Sequence, residues 1–423
     1  MQNLVRISAL AVLLSLAGAA GAQTPEALPG ASLKGLLQLA KERNPDYASM
    51  RFEAQAATER VTPAGALPDP RFRTELMDIT RMGEQNPTLL PANVGSTRYT
   101  LMQDLPWFGK RDLRRDIAQL EADGSRGKAD GAWTELAARI KTTQAQRHYL
   151  RGNETLTREI LDLMLRLEKI AQVRYAGGLA AQQDVIRAQV EQTNMRNELV
   201  ALEAERAQAD VRLNTLLARP ASAALAAPDL LTALPSATQL DHDTLAARAR
   251  SRNPQLFAEE ARSRAAEKNR DLTRLNRYPD FTLSISPTQY QSAVKEWGLM
   301  LEVNIPLQQS SRRAQERESE AMYAAAQSRQ EALANQLLSD LAESLAGLAA
   351  AQSSAALARN NLLPQAELTF SSALAGYENG KVDFATLLDA QRQIRQARQT
   401  RIKAQFEGQM RLAEIEKLIG EDL

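Results

Sequence analysis

Two groups of residues have types and spacing suited to chemistry. Asp184 and Asp389 each stand a few residues past a glycine turn, with Tyr175 and Tyr377 just before it. A carboxylate repeated in every copy of an assembly concentrates negative charge and favours cations. On a solvated helix face the same carboxylate does neither, and both readings stand here. The two tyrosine hydroxyls are placed to lock the turns by hydrogen bonds, or their rings simply pack. The turn residues Gly178, Leu179, Gly380 and Lys381 offer positive φ between two helices, which is ordinary capping. They also form an exposed end that a partner could grip. The second group is Trp107 and Phe108, beside Pro106. Aromatic rings at such a point anchor a chain at a membrane–water boundary, or pack locally.

Enzymatic chemistry finds no support. The chain has no Cys, which removes thiolates, disulfides and Cys-ligated metals. His148 and His242 stand alone, and the methionines form no close cluster, so no metal site is expected. No phosphate-binding loop, nucleophile elbow or metalloprotease helix is present. The reading is a chain that is not an enzyme and needs no cofactor. With 52 basic against 51 acidic residues, nucleic-acid binding is equally unsupported.

Those residues sit in a sequence written twice. Asn44-Pro45 recurs as Asn253-Pro254, and Leu67-Pro68-Asp69-Pro70-Arg71-Phe72 is echoed by Tyr278-Pro279-Asp280-Phe281. Leu105-Pro106 returns as Ile305-Pro306, Tyr175 to Gly178 as Tyr377 to Gly380, and Ala188-Gln189 as Ala390-Gln391. The expected division is a leader at 1–22, a first repeat at 23–220, a linker at 221–237 and a second repeat at 238–423. Each repeat reads as a short helical segment (32–62 and 242–275), two strands, a long helix, a glycine turn and another helix.

The strand runs alternate. Trp297, Leu299, Leu301, Val303 and Ile305 share one face, with Gly298, Glu302 and Asn304 on the other. Phe281, Leu283 and Ile285 alternate with polar residues, as do Phe72, Thr74 and Leu76, and Tyr99, Leu101 and Leu105. Such strands fit a membrane barrel, or a water-bathed hairpin with one face on a core. The helical tracts carry heptad stripes: Leu156, Ile160, Leu163, Leu167 and Ile170, then Met195, Leu199 and Leu202, then Leu338, Leu341, Leu345 and Leu348. Gly124, Gly127 and Gly131 should weaken the first tract by roughly 1 kcal/mol each relative to Ala. Pro364 should kink the second. Lys110, Arg111, Arg114 and Arg115, interleaved with Asp112 and Asp116, read as a solvated face. Residues 78–95 read as a loop outside the membrane.

Arg6, an apolar run from Ala9 to Ala17, and Ala20-Gly21-Ala22 form a secretory leader with cleavage expected before Gln23. The alternative is a short membrane anchor, but the run is too short to span. No later stretch is long and apolar enough for a membrane helix, so any insertion must use strands. Four strands cannot close, and an open edge is intolerable in lipid. Copies must share them. Two would give eight strands and three would give twelve, and only the wider barrel leaves a lumen.

The twofold repeat, the two Asn-Pro starts, Gln103 to Arg111, Tyr175 to Gln189 and Tyr377 to Gln391 together resemble the TolC-like outer-membrane efflux proteins. Pro106-Trp107-Phe108-Gly109-Lys110 is similar to the heavy-metal, CzcC- and CusC-like branch. The resemblance spans 33–420. It implies a mainly α fold with a small β part: a homotrimer with a barrel in outer-membrane lipid and a coiled-coil periplasmic tunnel. It implies partnership with a periplasmic adaptor and an inner-membrane pump of the resistance-nodulation-division class, exporting metal cations or drugs. It assigns Asp184 and Asp389 to carboxylate rings at the tip, with Tyr175 and Tyr377 as latches; a basic partner at Val382 is missing. Gly178-Leu179 and Gly380-Lys381 would receive the adaptor. The metal branch often carries a lipidated N-terminal Cys, which this chain lacks, so anchoring would rest on the barrel. The rival readings are a protein-secretion duct of the same fold and a periplasmic coiled-coil adaptor.

Overall fold

The computed structural model describes residues 28–229, 231–236 and 239–423. The leader at 1–22 and the last linker residue, 237, lie outside the described residues.

The first helical segment is broken at its Asn-Pro. Helix α1 (Leu33–Arg43) ends at Asn44, which also caps α2 (Pro45–Glu59). The Asn44 carboxamide oxygen accepts from the Tyr47 N–H at 2.9 Å, while its nitrogen donates to the Leu216 carbonyl at 3.0 Å. Asn253 repeats this between α6 (His242–Arg252) and α7 (Pro254–Leu275). It accepts from Leu256 N–H and donates to the Leu418 carbonyl, both at 2.9 Å. The recurring dipeptide therefore has a stated job. Asn closes one helix start and one distant helix end, and Pro fits the first turn at no hydrogen-bond cost. A short α3 (Val61–Gly65) follows α2.

The strands are β1 (Arg71–Met77), β2 (Ser96–Leu105), β3 (Asp280–Tyr290) and β4 (Ala293–Asn304). They form one antiparallel sheet in the order β1-β2-β3-β4. Strand β3 runs past the expected end at Ser286 and through Pro287. The β2–β3 ladder lapses at Tyr99 and Thr100, opposite that stretch, and a Thr100–Ser286 hydroxyl contact of 3.1 Å bridges it. Phe72, Leu101, Ile285 and Leu299 are paired in register across all four strands, and all are exposed. The opposite face carries Arg71, paired with Asp104 at 2.8 Å, and Thr282, donating to the same carboxylate at 2.8 Å.

Below the sheet, α4 (Lys110–Ala176) is one helix of 67 residues, about 100 Å long. It packs on α5 (Gln182–Leu216), α7 and α10 (Phe384–Ile419), and α10 packs on α8 (Gln309–Leu357). Pro364 acts as expected. A π-helical turn at Ala358–Leu362 interrupts the ladder, and α9 (Leu363–Glu378) restarts with the proline in its first turn. Gly124, Gly127 and Gly131 of α4 correct the sequence reading, because they face α7. A Cβ on Gly127 would lie 2.9 Å from the Pro254 carbonyl and 3.0 Å from Ala258. They let two helix backbones approach closely, a role that propensity does not report.

The core is a series of patches along a wall one helix thick. Leu36, Ala40, Leu136, Ile140 and Leu213 form one, and Leu245, Leu341, Leu348 and Ile415 form its counterpart in the second repeat. A third, at the tip, joins Leu156, Ile160 and Leu167 to Met195, Phe384 and Leu387. The described linker residues are not a free tether. Ala226 accepts from Arg147 at 2.8 Å and Thr232 accepts from Gln409 at 2.6 Å, so the segment lies against α4 and α10.

Candidate functional site

Both glycine turns have the same backbone. Leu179 N–H donates to the Arg174 carbonyl at 2.8 Å and Gly178 N–H to that of Tyr175 at 2.9 Å. Lys381 and Gly380 repeat these bonds to Gly376 and Tyr377 at 2.8 and 3.0 Å. This is the Schellman arrangement, and Gly178 and Gly380 both take φ +70°, where a Cβ would be strained. The glycines are thus caps by geometry. The exposed Leu179 and Val173 stand beside the first turn, leaving an apolar end in water.

Tyr377 and Asp184 are brought together. Tyr377 is buried, and its hydroxyl donates to an Asp184 carboxylate oxygen at 3.4 Å. Its ring packs on Phe384 at 5.3 Å between centroids. Burial, reinforced by the Asp184 charge, pushes the phenol above its ordinary pKa of 10.0. Tyr175 is half exposed and Asp389 is exposed, its carboxylate accepting from Gln393 at 3.0 Å. Neither joins the Tyr377 cluster within the chain.

Val382, where the resemblance expected a cation, packs against Gly376. Arg174 supplies the cation from the other repeat. Its guanidinium lies over the Tyr377 ring and donates to the Glu378 carbonyl at 2.6 Å and the Leu179 carbonyl at 3.2 Å. Farther up, Arg392 pairs with Glu191, Arg395 with Glu198, and Arg398 with Glu159 at 2.7 Å. These arginines stand three apart on α10 and reach both helices of the first hairpin. The spacing was visible in the sequence, but nothing local showed which helix lay opposite.

At the strand-to-helix junction Gly109 takes φ +82° and turns the chain into α4. Trp107 stacks on Tyr278 at 5.0 Å and on Phe281 at 5.8 Å, so it is a packed residue. Phe108 is 84% exposed, and its ring stands edge-on to that of Trp107 at 5.9 Å between centroids. The basic run is not a uniform solvated face. Lys110 is 2% exposed, with its ammonium 2.8 Å from the Asp280 carboxylate and 3.3 Å from the Tyr278 carbonyl. The same Asp280 oxygen accepts the Trp107 N–H at 2.8 Å. Arg111 donates twice to the Gly65 carbonyl, whereas Arg114 and Arg115 are exposed.

Among the described residues no group of three or more His, Asp or Glu could hold a metal ion, and no helix is long and apolar enough to cross a membrane.

The profile of the outer membrane efflux protein family matches residues 36–219 and 245–421. The cobalt-zinc-cadmium resistance protein CzcC of Cupriavidus metallidurans is 26% identical over 380 residues, covering 88% of this chain and 86% of that protein. The outer membrane protein VceC of Vibrio cholerae has the same fold, with a TM-score of 0.78 at 17% identity, over 92% of this chain and 96% of that one. CusC superposes with a TM-score of 0.77 at 16% identity, over 92% of each chain. Matched along both repeats, this chain belongs to the outer membrane efflux protein family and is an efflux channel protein rather than an enzyme.

Proposed function

We propose that three copies of this chain form an outer-membrane duct that exports cargo passively for an inner-membrane pump, through a periplasmic adaptor. The carrying observation is the exposed apolar row Phe72–Leu101–Ile285–Leu299 on a sheet whose edges, β1 and β4, are both unpaired among the described residues. Lipid covers such a row, and only closure by further copies satisfies such edges. Twelve strands give a lumen, and the long helices continue it as a water-filled tube. Phe108 is the interface anchor in this reading, and Trp107 braces the junction beneath it. Leu179 and Val173, with Gly178, form the adaptor's grip on the first tip; Gly380 and Lys381 form the lesser one.

The Tyr377–Asp184–Arg174 cluster, with Asp389 exposed nearby, is the closure of the tip. It holds the second hairpin against the first and narrows the entrance of the tube. The charge the cargo meets there is acidic at Asp184 and Asp389, which suits cations. The likeness to a cobalt-zinc-cadmium resistance protein supports metal cations as cargo.

Membrane fractionation of cells making the full chain tests the duct. Heat-modifiable trimers in the outer membrane are expected, and a chain found only in the water-soluble periplasmic fraction would refute it. Deleting the gene and measuring zinc, cobalt, copper, silver and drug tolerance tests the cargo. Lost drug tolerance with intact metal tolerance would overturn the metal reading.

A further inference from the structure

The internal repeat fixes how one copy joins the next. Strand β2 maps onto β4 by Leu105-Pro106 on Ile305-Pro306, and β1 maps onto β3 by Pro68-Asp69 on Pro279-Asp280. The same offsets carry the pair Phe72–Leu101 onto Leu283–Leu301, which is an observed pair, so the map holds within the sheet. The seam between the repeats is β2 against β3, with Leu101 on Ile285, Met102 on Ser284 and Gln103 on Leu283. If the repeats form a closed ring, β4 of one copy must meet β1 of the next as β2 meets β3.

We propose that this seam is copied between subunits, so that Val303 faces the partner subunit's Phe72, Leu301 its Thr74, Leu299 its Leu76, and Glu302 its Arg73. This rests on the trimeric reading above and adds the register and the charge pair that specify it. Three observations converge. The map keeps every apolar residue on the apolar side, since Val303 meets Phe72 and Leu299 meets Leu76, and a slip of one would put each on the wrong face. It sets opposite charges directly across the seam, where the seam inside the chain has the neutral Met102 and Ser284. Finally, both charges are available. The Glu302 side chain makes no ion pair or hydrogen bond among the described residues, and the Arg73 guanidinium has only a 3.5 Å contact with Glu75.

The nearest competing registers slip by two residues. One would put Glu302 opposite the partner subunit's Arg71, whose guanidinium is already committed to Asp104. The other would put Glu302 opposite Glu75, a repulsive pair. Strand edges that complement only themselves in one register favour a closed ring over indefinite sheet growth.

The chain has no cysteine, so disulfide cross-linking reads the seam directly. Directly opposed residues have Cβ atoms about 4.5–5.5 Å apart, within disulfide reach after small adjustment, and diagonal neighbours do not. Phe72→Cys with Val303→Cys, and Arg73→Cys with Glu302→Cys, should convert most of the outer-membrane chain to a reducible cross-linked trimer. Phe72→Cys with Leu301→Cys or with Ile305→Cys should do so weakly. Stronger cross-linking of either of these last two pairs overturns the register and leaves the trimer intact. Trimers with no cross-link at any pair overturn the seam. A monomeric chain overturns the trimeric reading itself. A second measurement avoids cysteine: Arg73→Glu or Glu302→Arg alone should lower the temperature at which the trimer dissociates in detergent, and the two together should restore it. Failure of the double reversal to restore it also refutes the pair.

Discussion

The guanidinium of Arg174 lies 5.0 Å from the centroid of the Tyr377 ring, so a residue of the first repeat holds a residue of the second. The same group ties down two carbonyls, Glu378 and Leu179, one in each turn. A charged hydrogen bond and a cation–π contact together contribute about 2 kcal/mol, which is roughly a 30-fold change in a two-state equilibrium. Arg174→Ala should therefore raise single-channel conductance in planar bilayers, or the fraction of time spent open. Asp184→Ala should act in the same direction more weakly, through Tyr377. Asp389→Ala, which breaks no contact between hairpins, should alter cation preference and leave closure alone. A conductance unchanged in Arg174→Ala would remove the tie from the gate.

The Lys110–Asp280 pair yields an asymmetric prediction. Lys110 is buried while the Asp280 side chain is 43% exposed. Removing the carboxylate strands a buried ammonium; removing the ammonium leaves a carboxylate that water can still reach. Asp280→Ala should thus lower trimer stability by about 2–4 kcal/mol, and Lys110→Met by roughly 1–2 kcal/mol. Thermal dissociation of the purified trimer would measure both. Equal losses would mean that the pair is wetter than its burial implies.

Acid should loosen the first hairpin at Glu168. Its carboxylate accepts from Gln192 at 2.6 Å, Gln189 at 2.8 Å and Gln172 at 3.0 Å. The bond from Gln192, then that from Gln189, holds the carboxyl below its ordinary value of 4.5. A lowered folded-state value stabilises the fold above that ordinary value, and the contribution fades as pH falls through the lowered one. Glu168→Gln should therefore lower the melting temperature at neutral pH, change it little in acid, and so flatten its dependence on pH below about 4.5. An unchanged slope would show that the carboxylate is not linked to folding.

The sequence showed those features whose cause is local or periodic. Alternation at Trp297 to Ile305 revealed strands because a barrel wall has two solvents. Asn44 and Asn253 stood out because one side chain does the same double duty in each repeat. The features it hid depend on what lies opposite. Lys110 reads as solvated among its neighbours, and only Asp280, 170 residues away, explains its burial. Arg174 carries no periodic mark, since its partners belong to the other hairpin. Helix propensity counted the α4 glycines as flaws because propensity ignores the helix packed alongside.

Those glycines allow two substitutions of the same kind to be set against each other. By propensity, Ala in place of Gly should stabilise α4 by about 1 kcal/mol at any of the three positions. At Gly124 the added methyl would sit 3.6 Å from the Ala258 carbonyl and 3.9 Å from the Ala261 Cβ, which is ordinary contact. Gly124→Ala should therefore be neutral or stabilising by up to that amount. At Gly127 the methyl would meet the Pro254 carbonyl at 2.9 Å and the Ala258 nitrogen and Cβ at 3.0 Å. Backbone cannot swing aside as a side-chain end can, so α4 and α7 must separate, at a cost of about 1–3 kcal/mol. That exceeds the propensity gain, and Gly127→Ala should lower the melting temperature while Gly124→Ala holds or raises it. Equal effects from the two would mean that the helices are not in backbone contact at Gly127.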